Sequence, residues 1–227
     1  MTYGVLGFVG GNEWGKDCTF DQRLLEVSGA SEVLVLPTAA AYEYPMRVIQ
    51  NATNYFDDFG VTTKGLMVLS HDDANDRRNA QTIAQAKFIY LSGGSPLHLR
   101  SVLKESLCFG ALRDAWQNGA TLIGSSAGGM VLTDPMVDPR GGAFTLGLGL
   151  VKKFAFSPHY SEWSQERRKR THLLEGSDFV TVGVDEQTAL IRWSNGEWEV
   201  LGKGSAEAYY FGKEISLGDL EYHIEIP

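Results

Sequence analysis

The residues best suited to covalent chemistry lie in Thr121-Leu122-Ile123-Gly124-Ser125-Ser126-Ala127-Gly128-Gly129, where an apolar run enters Gly-x-Ser-x-Gly. This order is the sequence form of a nucleophile elbow, a sharp strand-to-helix turn that presents a serine hydroxyl. The turn strains the dihedrals of its serine, and glycines at 124 and 128 let the strand and the following helix approach closely. Ser126 is therefore the candidate nucleophile. The Ala127 amide, at the start of the helix, is placed to stabilise a developing oxyanion. An ordinary strand-to-helix turn is the plainer explanation of the same residues, and the apolar strand ahead of them favours the elbow.

A serine nucleophile needs a base, and the chain offers five histidines: His71, His98, His159, His172 and His223. His71 opens the polar run His71-Asp72-Asp73-Ala74-Asn75-Asp76, which reads as a solvated loop. His98 and His172 fall inside helical patterns, and His223 lies near the C-terminal end. His159, in Phe154-Ala155-Phe156-Ser157-Pro158-His159-Tyr160, ends a short apolar strand, where open parallel sheets place their sites. A carboxylate to orient it is available as Asp185 or Glu186 in Val182-Gly183-Val184-Asp185-Glu186-Gln187-Thr188-Ala189-Leu190, with Asp134 and Asp138 as rivals. A second glycine-rich turn, Leu91-Ser92-Gly93-Gly94-Ser95-Pro96, also follows a strand. Its amides either complete an oxyanion hole or form a plain turn.

The elements that must position these groups follow from hydrophobic periodicity. Short, nearly continuous apolar runs at Val5 to Val9, Val33 to Leu36, Leu66 to Leu69, Phe88 to Leu91 and Thr121 to Ile123 predict strands covered on both faces. Amphipathic stretches between them predict helices, the clearest being Arg47 to Phe59, where Val48, Ala52, Tyr55, Phe56 and Phe59 form one stripe before Gly60. This alternation predicts an α/β fold with a mostly parallel, doubly wound sheet. After about Phe154 the pattern alternates at Val180 to Val184, Ala189 to Trp193, Trp198 to Leu201 and Glu207 to Phe211, which predicts antiparallel additions to that sheet. No linker or repeat interrupts the chain, so residues 1–227 are expected to form one domain.

Composition narrows the partners. The chain is 43% hydrophobic and 21% charged, with a net charge of -8 and a pI near 5.1, a balance that repels phosphate backbones and anionic lipid. Nucleic acid and membrane partners are thereby disfavoured. Two cysteines, Cys18 and Cys108, lack the spacing of a zinc site and are too few for a disulfide scaffold, so a reduced, cytoplasmic protein without metal or other cofactor is expected. No window reaches the roughly 18 uninterrupted apolar residues that span a bilayer, and the N-terminal stretch lacks the basic region of a signal peptide.

Taken in order, these motifs resemble the serine peptidase family of dipeptidase E and cyanophycinase. Those that carry the likeness are Pro37-Thr38-Ala39, Tyr90-Leu91-Ser92-Gly93-Gly94, Gly124-Ser125-Ser126-Ala127-Gly128, Gly147-Leu148-Gly149-Leu150, Ser157-Pro158-His159-Tyr160 and the Gly183 to Leu190 segment. The resemblance implies a fold like the class I glutamine amidotransferases, flavodoxin-like in outline, with serine in place of cysteine at the elbow. It also implies hydrolysis of short peptides through an acyl-enzyme and a homodimer. Ser126 would be the nucleophile, His159 the general base, and the amides of Gly94 and Ala127 the oxyanion hole. Glu186 would orient the histidine; Asp134, which precedes a proline soon after the nucleophile, is the alternative acid.

Departures from the family pattern bear on substrate. Cyanophycinases carry glutamine after the Gly-Gly turn and Asp-Gln before the histidine, where this chain has Ser95-Pro96 and Ser157-Pro158. Ser157-Pro158-His159-Tyr160 is closer to the Asn-Pro-His-Phe of dipeptidase E, and Ser95 stands where that family often has asparagine. Ser95 is thus a candidate substrate contact. The basic run Arg167-Arg168-Lys169-Arg170 follows His159, and an arginine fork suits a substrate carboxylate. With about 100° between successive helical residues, Arg167 and Arg170 share a face while Arg168 points elsewhere, so only one or two of these side chains reach a cleft. The resemblance implies substrate recognition by an arginine in this region, and Arg167 or Arg168 is the expected clamp. A solvated face paired with Glu162, Glu166 and Glu175 is the plainer explanation of the run. Two further functions compete: an α/β-hydrolase esterase, whose histidine would follow its acid, and an amidotransferase-like binding domain without chemistry.

Overall fold

A computed structural model describes residues 3–140, 142–176 and 178–226. From the N-terminus the chain runs through β1 (Leu6–Val9), α1 (Phe20–Ser28), β2 (Glu32–Leu36), α2 (Pro45–Asp57), β3 (Thr62–Gly65), α3 (His71–Ala74) and α4 (Arg77–Gln85). It continues through β4 (Phe88–Leu91), α5 (Pro96–Leu103), α6 (Leu107–Gln117), β5 (Thr121–Ser125) and α7 (Ala127–Leu132). Four short strands follow, β6 (Thr133–Asp134), β7 (Met136–Val137), β8 (Phe144–Thr145) and β9 (Val151–Lys152). The remainder comprises β10 (Phe154–Ser157), α8 (Gln165–Leu174), β11 (Val180–Val184), β12 (Thr188–Arg192), β13 (Trp198–Gly202), β14 (Ala206–Tyr210) and β15 (Lys213–Ile215).

The main sheet has seven strands in the order β13-β12-β1-β5-β4-β2-β3. Strands β1 to β5 pair in parallel, and β12 and β13 extend the sheet antiparallel from β1. The α/β class and the antiparallel additions expected from the sequence are both present. Alternate residues of β1 divide between two cores, as the two-residue period of a strand requires. Leu6 and Phe8 join the cluster that includes Leu99, Trp116, Phe154 and Phe156, while Val9 joins Phe20, Leu24, Ala52 and Phe56 on the side of α1 and α2.

Three expectations need correction. The run Leu66 to Leu69 is not a strand; β3 lies just ahead of it, in register with β2 from Glu32↔Thr62 to Val35↔Gly65. As an edge strand β3 is mostly exposed, so its Thr-Thr-Lys-Gly sequence shows no apolar run. The C-terminal strands do not all join the main sheet: β11 and β14 lie in a second, six-stranded sheet ordered β15-β14-β11-β10-β6-β9, whose central pair β10-β11 is parallel. That sheet packs on the first through Phe8, whose ring centroid is 5.1 Å from Phe154 and 5.4 Å from Phe156. His71 begins α3 rather than a solvated loop, with Nδ1 2.9 Å from the Val102 carbonyl oxygen.

One buried group makes stability depend on pH. Asp21, in the first turn of α1, is fully buried beside the Tyr55 hydroxyl, which only partly offsets the burial of its carboxyl group. Burial raises its pKa well above the ordinary carboxylate range. The folded state therefore holds this proton more tightly than the unfolded chain, and stability falls as pH rises above about 4, the ordinary carboxyl value. Asp21→Asn removes that loss. In urea titrations across pH 4 to 8, the wild-type midpoint should fall relative to that of the variant as pH increases; parallel midpoints would show that Asp21 is not protonated in the fold.

Candidate active site

Strand β5 delivers Ser126 to the turn before α7 with φ 46° and ψ -111°, a conformation that L-residues avoid. Close packing holds it there. A Cβ on Gly124 would stand 2.6 Å from the backbone of Gly128, and one on Gly128 would stand 2.2 Å from the Leu91 carbonyl oxygen, so both positions exclude larger residues. The Ser126 amide donates to the Val9 carbonyl at 2.9 Å.

His159 comes from the second sheet. It follows β10 and Pro158 in a left-handed conformation, φ 52° and ψ 37°, with its amide donating to the Gly10 carbonyl at 2.7 Å. Its Nε2 lies 2.9 Å from Ser126 Oγ, and its Nδ1 lies 2.7 Å from Glu186 Oε1. Glu186 sits where the chain passes from β11 in the second sheet to β12 in the first. Asn12 Nδ2 donates to Glu186 Oε2, so both carboxylate oxygens are engaged. The alternative acid, Asp134, lies in β6, where Oδ1 accepts from the Gly147 amide at 3.1 Å, and Asp138 pairs with Arg140. The structure thus brings Ser126, His159 and Glu186 into one hydrogen-bonded chain and leaves both aspartates outside it.

The two amides expected to form an oxyanion hole differ in what frees them. Ala127 is the first residue of α7, so its N–H has no intrahelical acceptor. Gly94 has φ 137°, and a Cβ there would lie 2.4 Å from the Ala39 carbonyl oxygen, so the turn requires glycine. Ser95 caps α5, its hydroxyl accepting from the His98 amide at 3.3 Å, and it lines neither of the cavities that meet Ser126 and His159. Of the two arginines, Arg168 points away, donating to the Tyr160 carbonyl at 2.6 Å and lying 3.7 Å from Glu207. Arg167 lines a cavity of about 230 Å³ together with Ser126 and His159. Its guanidinium lies 3.7 Å from the Trp163 ring centroid, its Nε is buried without a partner among the described residues, and burial lowers its pKa from the ordinary value.

A second, open cavity of about 990 Å³ also meets Ser126 and His159 and is lined by Glu13, Trp14, Cys18 and Tyr55. Cys18 is not a rival nucleophile, because burial pushes its thiol up to about 11 and keeps it protonated at neutral pH. Sequence reasoning missed Gly11, Asn12 and Glu13. The available signal was Gly10-Gly11 after β1, a strand-end turn of the same kind as Gly93-Gly94 after β4.

The profile of peptidase family S51 matches residues 8–199, a span that contains every residue of this constellation. The chain belongs to that family. Among curated relatives, a cyanophycinase of Synechococcus elongatus is 27% identical over 199 residues, 82% of this chain and 60% of the relative. A peptidase E of Nostoc is 23% identical over 203 residues, 82% of this chain and 79% of the relative. The chain thus spans about 60% of the length of the cyanophycinase it matches. Among solved structures, a peptidase from an acI-B1 actinobacterium superposes with TM-score 0.80 at 28% identity, covering 94% of this chain and 97% of that one. A putative peptidase E of Listeria monocytogenes shares the fold at TM-score 0.67 and 16% identity, covering 89% of this chain and 100% of that one.

Gly11 tests the geometry from outside the hydrogen-bonded chain. It has φ 115°, and a Cβ there would stand 2.1 Å from His159 Cε1, so a methyl group must displace the imidazole. Gly11→Ala should cost about 1–3 kcal/mol in backbone strain and, by moving the imidazole, about 100-fold in peptide hydrolysis. Denaturant titration and steady-state assays check the two effects; unchanged hydrolysis would mean that the imidazole position does not matter.

Proposed function

We propose that the protein is a serine peptidase of short peptides in which Ser126, His159 and Glu186 act as a triad. The observation that carries this reading is the unbroken sequence of contacts from Ser126 Oγ to His159 Nε2 at 2.9 Å and from His159 Nδ1 to Glu186 at 2.7 Å, open to two cavities. His159 takes the Ser126 proton as Oγ attacks the scissile carbonyl, and Glu186 holds the tautomer in which Nδ1 carries hydrogen. The Gly94 and Ala127 amides receive the oxyanion. The imidazolium then protonates the departing amine, and water, activated by the same imidazole, hydrolyses the acyl-enzyme. Two buried, unpaired cysteines support a reducing, cytoplasmic setting, and among the described residues no helix is long and apolar enough to cross a membrane.

For substrate, we infer that Arg167 binds a carboxylate, either a free C-terminus or an acidic side chain, which makes the enzyme an exopeptidase of the dipeptidase E type. Its unpartnered buried Nε and its place beside Ser126 support this reading. A second reading, an isopeptidase acting as the cyanophycinases are named to do, draws on the sequence relatives. Free dipeptides and cyanophycin, assayed side by side, separate the two.

Ser126→Ala should abolish hydrolysis while leaving the fold intact, and Glu186→Gln should lower kcat by about 10⁴-fold, the effect of the corresponding change in a serine protease triad. Near wild-type kcat in Glu186→Gln together with a dead Asp134→Asn would assign the acid to Asp134. Arg167→Met should raise KM about 10-fold or more for a peptide with a free carboxylate and leave its amidated analogue unchanged, whereas Arg168→Met should do neither. Equal losses on both peptides in Arg167→Met would remove the clamp.

A further inference from the structure

Glu13 takes no part in the steps above, yet its carboxylate lies beside the nucleophile. Oε1 accepts from the Gly93 amide at 3.1 Å, and Oε2 accepts from the Ser125 hydroxyl at 2.7 Å. A Cβ built on Gly93 would stand 3.5 Å from Ser126 Cβ and 3.6 Å from Glu13 Oε1, so the carboxylate and the stem of the nucleophile border the same small volume. An ionised carboxylate offers about four acceptor positions, and the two protein donors leave some of them facing the 990 Å³ cavity that Glu13 lines. No ion pair among the described residues involves Glu13. The other charged groups on that cavity are Asp58 and the exposed Lys16, whose ammonium can remain hydrated.

We propose that Glu13 is the receptor for the α-ammonium group of the residue whose carbonyl Ser126 attacks, so that the cleft selects peptides with a free amino end at the scissile residue. The inference rests on the acyl-transfer reading of Ser126. Proximity selects the group: an α-ammonium is separated from its own carbonyl carbon by Cα alone, so a carboxylate this near the serine meets it when that carbonyl is in place. A lysine or arginine side chain offers the same cationic chemistry, but its length carries the charge past Glu13 into the larger cavity. Glu13 lines the larger cavity at Ser126 and Arg167 the smaller one, so the two carry opposite charges, matched to the two ends of a short zwitterionic peptide.

The test is calorimetric titration of the whole 227-residue chain carrying Ser126→Ala, with Asp-Leu, N-acetyl-Asp-Leu and N-acetyl-Lys-Leu as probes. Acetylation of Asp-Leu should weaken binding about 10- to 100-fold, the range for a hydrogen bond to a charged group. N-acetyl-Lys-Leu should not recover the loss. Adding Glu13→Gln should bring the free and acetylated peptides within about 2-fold of each other. Glu13→Asp, which keeps the charge and shortens its reach, should leave a reduced preference and serves if the glutamine variant fails to fold. Equal affinity for free and acetylated peptides, absence of binding by all three, full recovery with the lysine probe, or an acetylation effect that survives Glu13→Gln would each overturn the proposal. Because this variant forms no acyl-enzyme, amine-dependent binding in a protein whose wild type hydrolyses nothing would count against the triad alone.

Discussion

The carbonyl oxygens of Val9, Gly10 and Gly11 accept hydrogen bonds from the amides of Ser126, His159 and Gln187 at 2.9, 2.7 and 2.9 Å. The next two residues continue inward, Asn12 to Glu186 and Glu13 to Gly93 and Ser125. This segment leaves the end of β1, which lies between β5 and β12 in the main sheet, and it reaches elements of both sheets. The placement of a serine from one sheet against a histidine from the other therefore depends on its path. Only glycine allows that path: a Cβ on Gly10 would stand 2.0 Å from the Asp185 carbonyl oxygen, and one on Gly11 would enter the His159 ring.

Conformational strain gathers at the same place. Ser126, His159 and Gln187 all have positive φ, at 46°, 52° and 54°, and such residues cost of order 1–3 kcal/mol each. A single hydrogen bond contributes about 1 kcal/mol net, so the backbone contacts to Val9, Gly10 and Gly11 alone offset only part of the strain. The rest is met by packing beneath the site, where Phe8, Phe154 and Phe156 are fully buried and Gly129 lets Phe156 approach the elbow helix. The geometry is thus held from the core outward, while Glu13 and Arg167 line the two cavities that meet Ser126.

How much of this was legible in the sequence follows from which constraints are local. The elbow was readable because its strain demands small residues at fixed offsets from Ser126, and His159 because parallel sheets place their sites at strand ends. Glu186 was one of several carboxylates until the family resemblance singled it out, because its approach to His159 depends on a crossing between two sheets. The second sheet was hidden for the same reason: the pattern of β11 and β14 reveals strands but not their partners. Helical phase sets Arg167 and Arg170 on one face of the basic run and Arg168 on another without deciding which meets a cleft, and only the packing of α8 brings Arg167 to the cavity that Ser126 lines. The neighbours of Ser95 in sequence suggest a substrate contact, whereas in the fold its hydroxyl accepts the capping hydrogen bond of α5. Glu13 left no local trace, since its partners at Gly93 and Ser125 are distant in the chain.

The central claim is that contact with His159 makes Ser126 unusually nucleophilic, and covalent labelling tests it most directly. Intact-mass analysis after incubation with a fluorophosphonate should show one adduct on the wild-type chain, mapped to Ser126, and essentially none when His159→Ala is treated in the same way. An unlabelled wild type, or equal labelling with and without the imidazole, would contradict the account.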